Sequence, residues 1–171
     1  MGHHINAVIG THEAVKSLAA KFGPPIPTEL PSGLVIVPLD ELRLDMIAMS
    51  VEPAIEGFTY LTPLMAQEIA STAGGSLLYI ETHYFGGTGG QSAAYFQDGG
   101  LRWWRAESSE EVQPGSRLAD HYARTAICGK SPISEGLSKL GVQRSDDCDE
   151  FDQIGLHRFR SLEALGIEFD D

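Results

Sequence analysis

The segment SLLYIETHYFGGTGGQSAAYFQDGGLRWWRA, residues 76–106, decides the fold of this chain. Short runs rich in apolar, β-branched and aromatic residues alternate there with clusters of glycine, which is typical of consecutive strands joined by turns. The pattern predicts three strands, 76–85, 91–97 and 101–106. We therefore expect a β-meander at the centre of the chain.

The pair Asp98-Gly99 predicts a tight hairpin turn between the second and third of these strands. Glycine, and less readily aspartate, accepts the positive φ that such a turn requires. With this pair at the centre of the turn, Phe96 should face Leu101 and Ala94 should face Trp103. A slip of one residue would change that pairing.

The flanking sequence predicts further strands and several helices. Short apolar runs favour strands at 5–9 and 34–37, and apolar residues at helical spacing favour helices near 11–22, 39–49, 62–73 and 131–140. Thr62 followed by Pro63 predicts the cap of the third helix, and Ser131 followed by Pro132 predicts the start of the fourth. No repeat or linker divides the chain. We expect a single α+β domain over residues 1–171, with a central antiparallel or mixed sheet and helices packed on one side.

The composition excludes some classes of partner. The chain has 171 residues and a formal net charge of −12, which argues against nucleic acid as a ligand because phosphate binding requires concentrated Lys and Arg. No apolar run approaches the roughly 20 residues that span a bilayer. The first residues carry no signal-peptide pattern, so a cytoplasmic location is expected.

Much of the negative charge lies near the end of the sequence, where residues 146–171 hold nine acidic and two basic residues. Five of these acids lie within seven residues: Asp146, Asp147, Asp149, Glu150 and Asp152. Their spacing does not match a calcium-binding EF-hand loop. Either they form a solvated surface, or they form an acidic face that binds a basic protein through complementary charge.

A glycine-rich segment, 86–90, is the other candidate binding element. It contains Gly86, Gly87, Gly89 and Gly90. It lacks the Gly-Lys-Ser/Thr of a P-loop and no helix follows it, so a phosphate-binding role is not indicated. It is either a twisted hairpin connection or a recognition loop.

Polar residues flank this glycine segment on both sides. Glu81 and His83 share one face of the first strand, and Gln91 follows the glycines. A Glu–His pair can transfer a proton, but no nucleophile with an orienting partner accompanies it. The sequence therefore predicts a binding group and no catalytic residue.

Cysteine and histidine spacing predicts neither a metal site nor a cofactor. Cys128 and Cys148 match no zinc motif and have no features of a nucleophile. His3 and His4 are adjacent, so on a strand they should point to opposite faces. We expect no bound metal and no cofactor.

Two segments carry a resemblance to known proteins. Residues 79–91, YIETHYFGGTGGQ, and 149–156, DEFDQIGL, resemble segments of small uncharacterised bacterial proteins that include immunity-type and toxin-associated proteins. The resemblance implies a non-enzymatic module whose acidic surface binds a basic partner such as a nuclease-like toxin. The alternative is a small enzyme or small-molecule-binding protein with a pocket walled by the Gly86–Gly90 loop.

Overall fold

The computed structural model describes residues 3–21, 27–48, 52–85, 88–108 and 130–167. Its strands are β1 (His3–Gly10), β2 (Thr28–Leu30), β3 (Leu34–Pro38), β4 (Leu77–Phe85), β5 (Thr88–Gln97) and β6 (Gly100–Ser108). They form one sheet in the order β2-β3-β1-β4-β5-β6, and every neighbouring pair is antiparallel. The α+β class and the central meander are confirmed.

The helices in the described ranges are α1 (His12–Lys21), α2 (Glu41–Ala48), α3 (Pro63–Thr72), α4 (Pro132–Lys139) and α5 (Glu150–Gln153). Thr62 and Ser131 cap α3 and α4 by accepting hydrogen bonds from backbone N–H groups of the first turn, at 3.1 and 3.2 Å. A proline follows each cap, as their sequences predict. Within the described ranges, no helix has the length and apolar character needed to cross a membrane.

Helices cover both faces of the sheet, so the expectation that they pack on one side is wrong. On β4, Tyr79 packs with α1, α2 and α3 on what we call the front face, whereas Ile80 packs with α4 and the chain after it on the back face. Successive side chains of a strand point to opposite faces. Because β1, β3 and β4 are apolar at both sets of positions, both faces must be covered.

The β5–β6 hairpin has the predicted turn. Asp98 and Gly99 adopt φ of 51° and 70°, and Phe96 faces Leu101 as expected. These positive φ values belong to the turn type whose twist matches that of paired strands.

The predicted pairing of Ala94 with Trp103 is wrong, because a β-bulge interrupts the hairpin. The pairing shifts between Tyr95 and Phe96, so that Trp103 faces Tyr95 and Trp104 faces Ala94. One extra residue on β6 opposes the partner strand at this point, which reverses the faces of all later β6 side chains. Trp104, rather than Trp103, therefore lies on the front face.

Candidate functional site

A pocket of about 810 Å³ opens on the front face, at the end of the sheet where β1 begins. Its wall is the loop at residues 56–60, which precedes α3 and crosses over the sheet. Polar side chains of the strands form its floor: His4, Asn6, Glu81, His83, Ser92 and Ser108, with Trp104 at one side. Volumes of about 300–1,000 Å³ are typical of sites for small ligands.

Glu81 fixes the wall of this pocket to the floor. Its Oε2 accepts a hydrogen bond from the Thr59 N–H at 2.7 Å, and its Oε1 accepts from the N–H groups of Tyr60 and Leu61 at 3.0 and 3.1 Å. The Tyr79 hydroxyl also donates to Oε1, at 2.8 Å. Both carboxylate oxygens are thus occupied by the loop and the strand, which makes Glu81 a positioning residue.

Tyr79 lies beneath this carboxylate in the front core. Burial, together with the negative charge of Glu81, raises the pKa of the Tyr79 phenol well above its ordinary value. The phenol therefore stays protonated and acts as a hydrogen-bond donor to Glu81.

A second contact holds the same loop against β5 and β6. The Ser92 hydroxyl donates to the carbonyl oxygen of Gly57. Gly57 has φ of +86°, and a Cβ at this position would lie 2.3 Å from the Cβ of Ala106. Only glycine permits both the conformation and the close approach.

Two histidines, His4 and His83, lie side by side at the open end of the pocket. They are directly opposite each other in the β1–β4 register and share the front face. The His4 N–H donates to the Arg160 carbonyl at 2.8 Å, away from β4. The pair is therefore of the non-hydrogen-bonded kind, in which side chains approach most closely.

Gln91 does not join Glu81 and His83. It faces Thr82 across the β4–β5 ladder and therefore shares the back face. Its Nε2 donates to the Tyr84 hydroxyl at 3.2 Å, and its Oε1 accepts the Ile133 N–H at 3.3 Å. Gln91 thus connects the sheet to the start of α4.

Only part of the glycine segment lies within the described residues. Gly86 and Gly87 lie outside the described residues, whereas Gly89 and Gly90 belong to β5. Gly90 sits between His83 and Ser108 in neighbouring strands and lines the pocket. A Cβ at Gly90 would lie 2.9 Å from the carbonyl oxygen of Glu107, so glycine permits the close approach of β6 at this point.

Four of the five acids of the predicted acidic surface lie at exposed positions. Asp146 and Asp147 are exposed, Asp149 caps α5 by accepting the Asp152 N–H at 2.9 Å, and Asp152 pairs with His157 at 3.2 Å.

Glu150 is a correction to that surface, because it is 1% exposed. Its Oε1 pairs with Lys130. Glu150 is thus buried at the start of α5, whereas Asp149 and Asp152 are exposed.

His3 lies on the back face, opposite to His4, as adjacent strand positions require. Its Nδ1 is 2.7 Å from the Thr82 hydroxyl, and its ring packs against Phe151. Burial lowers the pKa of the His3 imidazole below its ordinary value. His3 therefore serves packing between the sheet and α5.

The cysteines add no site in the described ranges. The Cys148 Sγ contacts the Ser145 hydroxyl and the Gln153 side chain, at 3.0 and 3.2 Å, and Cys128 lies outside the described residues. In the part of the chain that the structure describes, no three side chains of His, Cys, Asp or Glu converge to hold a metal ion.

The sequence did not point to three parts of this pocket: the loop at 56–60, His4 beside His83, and the front-face position of Trp104. Alternation along β1 places His4 and Asn6 on one face, but only the register of β1 against β4 brings them to Glu81 and His83. Comparison with family models, curated proteins and solved structures found no match.

Proposed function

We propose that this protein binds a small molecule in the front-face pocket between the 56–60 loop and the end of the sheet. The observation that carries the proposal is the wall itself, which Glu81 and Ser92 fasten over an opening of about 810 Å³. Because these hydrogen bonds hold the loop above the polar floor, the site is concave before any ligand binds. Preformed sites of this kind lose little conformational entropy when they bind.

The charges around the pocket favour a neutral or cationic ligand. Glu56 and Glu81 line it, whereas Arg105 lies on the back face of β6 and is paired there with Glu107 and Glu135. Together with the net charge of −12, these carboxylates disfavour an anion. Trp104 is 52% exposed, and its indole offers a flat surface to a planar ring or an ammonium group.

Three probes that share a benzene ring and differ in charge test this function: neutral benzamide, cationic benzamidine and anionic benzoate. We expect benzamide and benzamidine to contact the protein in saturation-transfer NMR and to quench its tryptophan fluorescence, and benzoate to do neither. The quenching should disappear in Trp104→Phe and persist in Trp103→Phe, since the two indoles lie on opposite faces of the sheet. Preferential binding of benzoate, or quenching that follows Trp103, contradicts the proposal.

We infer a second candidate function, which is binding of a basic protein by exposed carboxylates, as in an immunity-type protein. Asp146, Asp147, Asp149 and Asp152 are exposed within seven residues and support it. An acidic surface of this kind can cover the basic cleft of a nuclease and speed association by long-range attraction.

Neutralising these four aspartates tests the second function. A basic protein captured from the source cell should bind more weakly as salt rises, and the quadruple Asp→Asn variant should lose that binding. Asparagine also caps helices, so α5 should remain folded. Neutralising four exposed acids elsewhere, Glu13, Glu29, Glu41 and Asp45, is the matched control. Binding that ignores salt, or that the control weakens equally, contradicts this function.

A further inference from the structure

We propose that His4 and His83 form a two-histidine binding site for a divalent transition-metal ion such as Zn²⁺, Ni²⁺ or Cu²⁺. The inference goes beyond small-molecule binding, because the ion alone can be measured without any organic ligand. Imidazole nitrogen is the side-chain donor that these ions share in proteins.

The geometry of the strand pair carries the proposal. His4 and His83 are direct partners in the β1–β4 register. The backbone groups of β1 at this point face away from β4, since the His4 N–H donates to Arg160 and the Asn6 carbonyl accepts the Leu39 N–H at 2.8 Å. In such pairs the Cα atoms are only about 4.5 Å apart and the Cβ atoms about 5 Å. Two imidazoles on one face can then reach a common ion at about 2.0–2.1 Å from each nitrogen.

Both histidines lie at exposed positions of the sheet. An ion bound there would therefore not require the buried core to move. Gly90 follows His83 across the sheet and presents no side chain on the next strand. An ion held by the pair would border the pocket, which both histidines line.

The surrounding charge attracts a cation to this position. Glu163 lies close enough to His4 to interact with it electrostatically, and Glu56 lines the same pocket. Among the described residues no third ligating side chain converges on the pair. The remaining coordination positions would hold water or a ligand in the pocket, as in metal sites that keep an open position.

Titration of the full chain with ZnCl₂ and NiCl₂ in metal-free buffer tests the site. We expect one ion per chain at this site. His4→Ala and His83→Ala should each weaken it about 100-fold, because a single imidazole loses the advantage of two linked donors. His12→Ala is the matched control, since His12 is exposed and pairs with Glu29 on another part of the surface. Equal binding in His83→Ala, or equal loss in His12→Ala, overturns the proposal.

A measurement on the unaltered chain removes any dependence on how the variants fold. Substoichiometric Cu²⁺ should broaden the backbone NMR signals of His4, His83 and Gly90 first. Broadening centred on the 146–152 segment instead shows that the acidic surface takes the ion and overturns the proposal. Failure of the benzamide series with success here would reject small-molecule binding and leave the metal site standing.

Discussion

Replacing Glu81 by alanine should lower the free energy of unfolding by about 3–4 kcal/mol. The substitution removes the acceptor of three backbone N–H groups and one phenol, and Glu81 itself is only 6% exposed. A buried donor left without its partner costs about 1–3 kcal/mol, and part of this loss is recovered when the loop moves toward water. Urea unfolding of the variant and the parent chain measures the difference.

The conservative Glu81→Gln variant separates charge and acceptor geometry from side-chain size. Its amide can offer one oxygen, while its NH₂ group meets donors, so we expect a loss of about 2–3 kcal/mol. Glu68→Gln is the control, because that carboxylate meets Lys21 at a solvent-accessible position and such pairs contribute less than about 1 kcal/mol. Equal stability of Glu81→Gln and Glu68→Gln would show that Glu81 does not hold the loop.

Amide hydrogen exchange in the loop should also detect the loss of the hydrogen bonds to Glu81. Amide hydrogen exchange at Thr59, Tyr60 and Leu61 should become faster in Glu81→Gln, because those N–H groups lose their acceptor. Exchange at the centre of β4 should change only as far as global stability does. Unchanged protection at all three loop amides would contradict the role given to Glu81.

Replacing Gly89 by alanine should destabilise the chain by at least about 3 kcal/mol. Gly89 has φ of +143°, and a Cβ there would lie 1.9 Å from the carbonyl oxygen of His83. That oxygen belongs to the backbone of the paired strand, so the overlap is relieved only by separating β5 from β4. Thermal unfolding measures the loss.

Gly141→Ala is the matched control for this prediction. Gly141 also has a positive φ, +90°, but among the described residues, its two chain neighbours aside, no heavy atom lies within 4 Å of the position that an alanine methyl group would take. Only backbone strain of about 1 kcal/mol is therefore expected. The difference between the two variants isolates the steric overlap at the β4–β5 hairpin. If both variants lose the same stability, close strand approach is not the reason for glycine at 89.

The local sequence predicts much of the secondary structure, but it does not predict which face of the sheet each side chain occupies. The turn at Asp98-Gly99 and the caps Thr62 and Ser131 depend on a few neighbouring residues, and the structure confirms all three. The face of Trp104 depends on a single extra residue in β6. A bulge depends on how two strands fit each other, and no residue in the hairpin sequence marks it.

Local sequence also groups some residues of the candidate site correctly and others wrongly. Alternation along β4 predicts that Glu81 and His83 share one face, which is where they lie. Nearness in sequence groups Gln91 with them, but its position in the β4–β5 register assigns it to the back face. Nearness in sequence also groups Glu150 with its acidic neighbours, but Glu150 is buried in the folded chain.

The sequence by itself determined the α+β class, the central meander and its turn, because periodicity and turn chemistry act over a few residues. Tertiary structure alone decided which residues form the pocket. The Thr59 N–H reaches the Glu81 carboxylate across 22 positions of sequence, and His4 meets His83 only because β1 pairs with β4. Contacts at such separations depend on strand order and register, which the packing of the whole chain sets.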